Sequence, residues 1–126
     1  MMSTQTPEEI ELIEKEYNEL LKVATRVKTA EQLQTVRKAF EMANEAHKTM
    51  RRKSGEPYVF HPLSVAKIVA GEIGLGTKSV SAALLHDVVE DTDITLEDIK
   101  KVFGEKIALL VEGLTKIEDV YDQDTS

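Results

Sequence analysis

The chain has 126 residues, 41% hydrophobic and 31% charged, with a net charge of -7 and no cysteine. That length suits one domain of about 100–200 residues, and the missing thiols exclude disulfides and thiolate metal sites, so a metal here must take His, Asp or Glu. The acidic balance argues against broad nucleic-acid binding, and no run approaches the roughly 18 apolar residues of a membrane span.

In "TPEEIELIEKEYNELLKVATRV", Thr6 is the expected N-cap, Pro7 sits at the first helical position and Glu9 closes a capping box. Ile10, Ile13, Tyr17, Leu20, Leu21 and Ala24 recur at helical spacing, which predicts an amphipathic helix. A second helix is predicted after Thr29, with Leu33, Val36, Phe40, Ala43 and His47 on one stripe, ending near Met50. "RRKSGEPYVF" is irregular: Ser54-Gly55 and Pro57 break helices, and Tyr58 to Phe60 read as extended. Pro62, directly after His61, suits a first helical position, and "PLSVAKIVAGEIG" is apolar enough for burial, closed by Gly74 and Gly76.

Thr77 is the expected cap of a helix "KSVSAALLHDVVED". Another helix starts after Thr95, with Asp98 three residues on, and Gly104 separates it from "EKIALLVEGLTKI". With no paired strands and no repeat, the chain reads as all-α with about seven helices. "EDVYDQDTS", residues 118–126, is polar without an apolar stripe and reads as a frayed tail. The apolar helix before it then lacks cover, as in a truncated domain able to self-associate through that helix.

"LLHDVVEDT" crowds His86, Asp87, Glu90 and Asp91 together. On a helix Asp87 and Asp91 are neighbours, and like charges at that spacing repel by a few tenths of a kcal/mol. A cation in front of them offsets the repulsion. With His61 from an earlier loop end, two imidazoles plus carboxylates suit Mn²⁺, Fe²⁺ or Zn²⁺, and such an ion makes a nucleophile from water near neutral pH. The ordinary readings are a helix cap for His61, a solvated face for Glu90 and Asp91, core positions for Met42 and Met50, and a structural place without a nearby partner for His47. "HKTMRRKSGEP" sets Lys48, Arg51, Arg52 and Lys53 against one acid, Glu56. This cationic island on an acidic chain suits a phosphorylated small molecule.

Taken together, "RRKSGEPYVFHP" followed by "LLHDVVEDTDITLEDIKKVFGEKIALLVEGLTKI" closely resembles the amino-terminal hydrolase domain of the RelA/SpoT family, a branch of the HD-type metal-dependent phosphohydrolases. The resemblance runs from about Phe40 to Ile117. It implies an all-α, HD-domain-like helical bundle, incomplete at its C-terminal end: an amphipathic helix in 1–28, the core motifs in 29–117 and the polar tail in 118–126. It also implies that His61, His86 and Asp87 ligate Mn²⁺, and that Glu90 and Asp91 serve catalysis by positioning water and assisting the leaving group. Arg52 is implied to stack on a guanine base, with Lys53 and Ser54 in the nucleotide pocket.

The implied substrate is guanosine tetra- or pentaphosphate, the stringent-response alarmone, cleaved at the ribose 3′ oxygen to pyrophosphate and GDP or GTP. A cytoplasmic location without DNA or membrane contact goes with it. HD-type sites take a fourth ligand, an aspartate in an "ADRLHN"-like segment, and nothing resembling that occurs before Ser126. Asp119, Asp122 and Asp124 lack the motif, so the expectation is a piece of a hydrolase domain whose parent can carry a synthetase domain. Two alternatives stand beside it: a catalytically silent nucleotide-binding or interaction module, and an HD phosphohydrolase for another nucleotide, which leaves "RRKSGEPY" unexplained.

Overall fold

Three threonines start three helices by the same device. The side-chain oxygen of Thr6 accepts from the Glu9 amide while Glu9 reaches back to the Thr6 amide, opening α1 (Pro7–Val23). Thr29 and Gln32 open α2 (Ala30–Ala46) in the same way, and Thr95 and Asp98 open α6 (Leu96–Phe103). Each box satisfies amides that the first turn leaves without helical partners, and each capping side chain contributes about 1 kcal/mol. These coordinates are a computed structural model that describes the backbone of residues 4–125 and the side chains of residues 4–117.

The remaining helices are α3 (Phe60–Lys67), which runs into a π-helical turn at Ile68–Glu72, α4 (Thr77–Leu85), the short α5 (Val88–Asp91) and α7 (Glu105–Thr125). The all-α expectation holds among the described residues, with four local differences besides the break between α4 and α5. First, α2 ends at Ala46 rather than near Met50, with His47 as its C-cap. Second, Tyr58 and Val59 form a turn instead of an extended run, and α3 begins at Phe60, so His61 and Pro62 both lie in its first turn. Pro62 is tolerated there because first-turn amides have no helical acceptor.

Third, α4 takes Gly76 as its N-cap, and the buried Thr77 hydroxyl makes no capping bond. Finally, α7 continues to Thr125, so the backbone of the segment expected to fray is helical. Extending a helix already started by a packed segment costs far less than nucleating one.

α4 is the centre of the molecule. Every residue from Val80 to Leu85 is buried, and α4 packs on α2, α3 and α7. From Val80 on, α4 carries only apolar or small side chains, with no charged face to offer solvent, and such a stretch lies inside. Leu20 of α1, Phe40 of α2, Leu63 of α3, Ile99 of α6 and Val111 of α7 complete the core around it. Gly104 ends α6 at φ +96°, a left-handed conformation that glycine adopts without a side-chain clash. On α7, Leu109, Leu110 and Ile117 remain exposed. Among the described residues no helix is long and apolar enough to cross a membrane.

Candidate metal centre

His86 and Asp87 lie at the C-terminal end of α4, where the chain turns before α5 rather than continuing as one helix. The break has a local cause. The Nδ1–H of His86 donates to the Ala83 carbonyl at 2.5 Å, taking an acceptor that helical backbone would otherwise use. From α7, the Thr115 hydroxyl lies 3.1 Å from the His86 carbonyl and 3.0 Å from the Val111 carbonyl, sharing its one proton between them. The turn therefore aims two successive side chains at one point, which consecutive positions in a straight helix, about 100° apart, do less well.

His61, from the first turn of α3, completes the group. His61, His86 and Asp87 each offer a ligand atom, all within 4.8 Å of one another. Asp87 Oδ2 lies 3.4 Å from His61 Nε2 and 3.3 Å from His86 Nε2. In the neutral imidazole whose Nδ1–H is given to the Ala83 carbonyl, Nε2 is the ring's ligand atom, and it faces the carboxylate oxygen. Burial pulls the His61 pKa below its ordinary value, against a smaller upward pull from Asp87, so a neutral ring is favoured at His61. Lone pairs converging on one point from two imidazoles and a carboxylate fit a divalent cation. The His86 Nδ1–carbonyl bond is also the kind of outer contact that orients metal-ligating histidines.

Aromatic rings back this group. Tyr58 donates its hydroxyl to Asp87 Oδ2 at 2.9 Å and meets the His61 ring edge-on, with centroids 5.9 Å apart. Burial, then the Asp87 carboxylate, push the Tyr58 phenol far above its ordinary pKa, so it stays a donor. His47 stacks on the Tyr58 ring, with centroids 4.5 Å apart. Its Nε2 lies 3.2 Å from Asp91 Oδ2, which corrects the expectation that His47 has no nearby partner. No spacing rule links positions 44 apart in sequence; only the folded chain, which brings the C-cap of α2 to Asp91, does. Tyr58 and Thr115 lie inside the two motif blocks, but nothing local to either marks its contact with this group.

The two acids on α5, Glu90 and Asp91, are both exposed residues, and Asp91 turns its carboxylate toward His47, leaving 27% of its side-chain surface open. The cationic island is smaller than its sequence suggests. Arg51 is held bidentately by Glu9 at 2.7 and 2.8 Å, and Lys48 pairs with Glu45 at 3.1 Å. The Ser54 hydroxyl donates to Glu56. Arg52 lies with its guanidinium 5.8 Å from the Tyr58 ring centre and, with His61, Glu56, Phe60 and Ser64, lines a cavity of about 230 Å³. Lys53 is exposed on the same loop, where Gly55 turns the chain at φ +103°.

A protein-family model described as HD domain matches residues 39–126. The chain belongs to the HD domain family. This HD domain is 54% identical over 82 residues to a guanosine-3′,5′-bis(diphosphate) 3′-pyrophosphohydrolase of Aquifex aeolicus, covering 65% of this chain and 12% of that relative. It is 48% identical over 88 residues to a probable GTP pyrophosphokinase of Mycobacterium leprae, covering 70% of this chain and 11% of that protein. It is 44% identical over 94 residues to the bifunctional (p)ppGpp synthase/hydrolase SpoT of Escherichia coli, covering 75% of this chain and 13% of SpoT. The chain thus spans a small part of these relatives, as the RelA/SpoT resemblance implies. An HD hydrolase domain implies a divalent metal, and the donor set just described is where this HD domain could hold one.

Proposed function

We propose that this HD domain holds Mn²⁺ through His61, His86 and Asp87 and hydrolyses guanosine tetra- or pentaphosphate to pyrophosphate and GDP or GTP. The reading rests on the convergence of three ligand atoms at the edge of a cavity that Arg52 and His61 both line. The names of the relatives support the substrate class.

When bound, such an ion supplies Lewis acidity toward water and phosphoryl oxygen. The remaining chemistry falls to the side chains. Water oxygen bonds to phosphorus and the bond from phosphorus to the ribose 3′ oxygen breaks. One proton leaves the water to a carboxylate, Glu90 or Asp91, and one returns to the 3′ oxygen, so protons balance. Arg52 offers a flat cation to a purine face or a phosphate fork, and Lys53 adds a point charge nearby. Ser54 would bind nucleotide by releasing Glu56. A soluble nucleotide as substrate suits a cytoplasmic location.

The test is incubation of the chain with guanosine tetraphosphate and Mn²⁺. Pyrophosphate and GDP are expected in equal amounts, with release abolished by a chelator; no release at saturating Mn²⁺ overturns the reading for this chain. A second reading, a nucleotide-binding module without turnover, is favoured by the ligand group having three members among the described residues. Nucleotide binding without product would support it. A panel of competing nucleotides separates an alarmone enzyme from an HD phosphohydrolase of other preference.

A further inference from the structure

His47 is buried, with 1% of its surface exposed, and both ring nitrogens are engaged. Nδ1 lies 3.0 Å from the Ala43 carbonyl one turn back on α2, and Nε2 lies 3.2 Å from Asp91 Oδ2. The ring face rests on Tyr58, whose hydroxyl reaches Asp87. Two stacked rings therefore hold two carboxylates, one in the ligand group and one beside it. Asp91 needs such support. It closes α5, a helix of 4 residues, and so short a helix fixes little by itself.

The geometry points to His47 as a positioning residue that fixes the Asp91 carboxylate for proton transfer, with Tyr58 as the platform that keeps the imidazole in place. The inference rests on the hydrolase reading above, in which Asp91 exchanges a proton with water or the leaving oxygen. An acid–base group must be held within about 0.5 Å of its productive position, and a carboxylate with part of its surface in solvent has several rotamers to choose from. The Tyr58 face sets the ring's plane, and with Nδ1–H given to the Ala43 carbonyl, Nε2 fixes Asp91 either by donating a second proton as imidazolium or by accepting the proton of the Asp91 acid; both select one position for that carboxyl group. Such outer contacts typically carry about 10–100-fold in activity when lost.

Two variants separate positioning from mere packing. His47→Asn keeps a polar group near the Ala43 carbonyl but falls short of Asp91, whereas the longer amide of His47→Gln reaches the place of Nε2. Expected for His47→Asn is a kcat lowered about 10–100-fold, with KM for guanosine tetraphosphate and affinity for Mn²⁺ unchanged, and for His47→Gln recovery of most of that loss. Long-range proton–nitrogen spectra of the same 126-residue chain give a readout independent of turnover. Asp91→Asn should move the His47 Nε2 resonance and leave Nδ1 in place, and Glu90→Gln should move neither. The inference is overturned if Asp91→Asn leaves Nε2 unmoved, if folded His47→Asn keeps the original kcat, or if both His47 variants lose activity only in step with stability. Absence of turnover in the unaltered chain strikes the hydrolase reading instead, and the spectra still decide whether His47 holds Asp91.

Discussion

The corner where α3, α4 and α5 meet and the loop at residues 48–57 lie side by side, yet they are held by different forces. At the corner, His86 and Asp87 are buried and their orientation follows from helix packing, one carbonyl bond at Ala83 and one hydroxyl from α7. Arg52, Lys53 and Ser54 on the loop are exposed, and the loop is tied down chiefly by Arg51, whose guanidinium joins Glu9, the Thr4 carbonyl and the Gly55 carbonyl. Packing fixes the group that would do chemistry; an ion pair fixes the group that would meet substrate. Substitutions in the two regions should therefore fail in different ways.

The largest effect belongs to the corner. His86→Ala and Asp87→Ala should each lower Mn²⁺-dependent turnover by about a thousandfold or more, since metal stabilisation of transition-state charge amounts to several kcal/mol. Retained activity in either variant would break the contrast outright. Next comes the packing beneath it. Leu84 is fully buried on α4, and Leu84→Ala should cost about 2–5 kcal/mol in urea unfolding, while the folded fraction keeps its Mn²⁺ affinity. A stability loss near zero would mean that α4 does not organise the core.

The loop gives smaller effects. Arg52→Lys removes a stacking plane but keeps charge, and should raise KM about three- to tenfold at constant kcat, in line with ~1 kcal/mol for a cation on an aromatic face. Unchanged KM would count against that role. The smallest effect is a pH effect on the clamp. Arg51, aided by the Thr6 amide, holds the Glu9 pKa down from 4.5 to about 2. As pH falls the unfolded chain takes up this proton first, so the contribution of the clamp is complete above about pH 4.5 and is lost as pH drops toward 2. Carboxylate titration followed by NMR should find Glu9 still ionised at pH 4; an ordinary midpoint would show the clamp to be open in solution.

Legibility in the sequence follows the same division. Local signals read well: Thr6, Thr29 and Thr95 start helices where their spacing predicts, and His61, His86 and Asp87 come together where the two motif blocks meet. Contacts between distant positions did not read. Arg51 with Glu9 spans 42 residues and His47 with Asp91 spans 44, separations at which no periodicity carries information. The break at His86 is not legible in the sequence either, because "KSVSAALLHDVVED" has helical character throughout, while a side-chain bond to Ala83 and a hydroxyl from Thr115 meet the chain where it turns.

The most direct test is calorimetric titration of the 126-residue chain with Mn²⁺, run beside Asp87→Asn, which keeps the shape of the side chain and removes its charge. If His61, His86 and Asp87 form a metal centre, one ion binds per chain and Asp87→Asn loses most of that affinity. Equal binding by both proteins, or none by the unaltered chain, would contradict it.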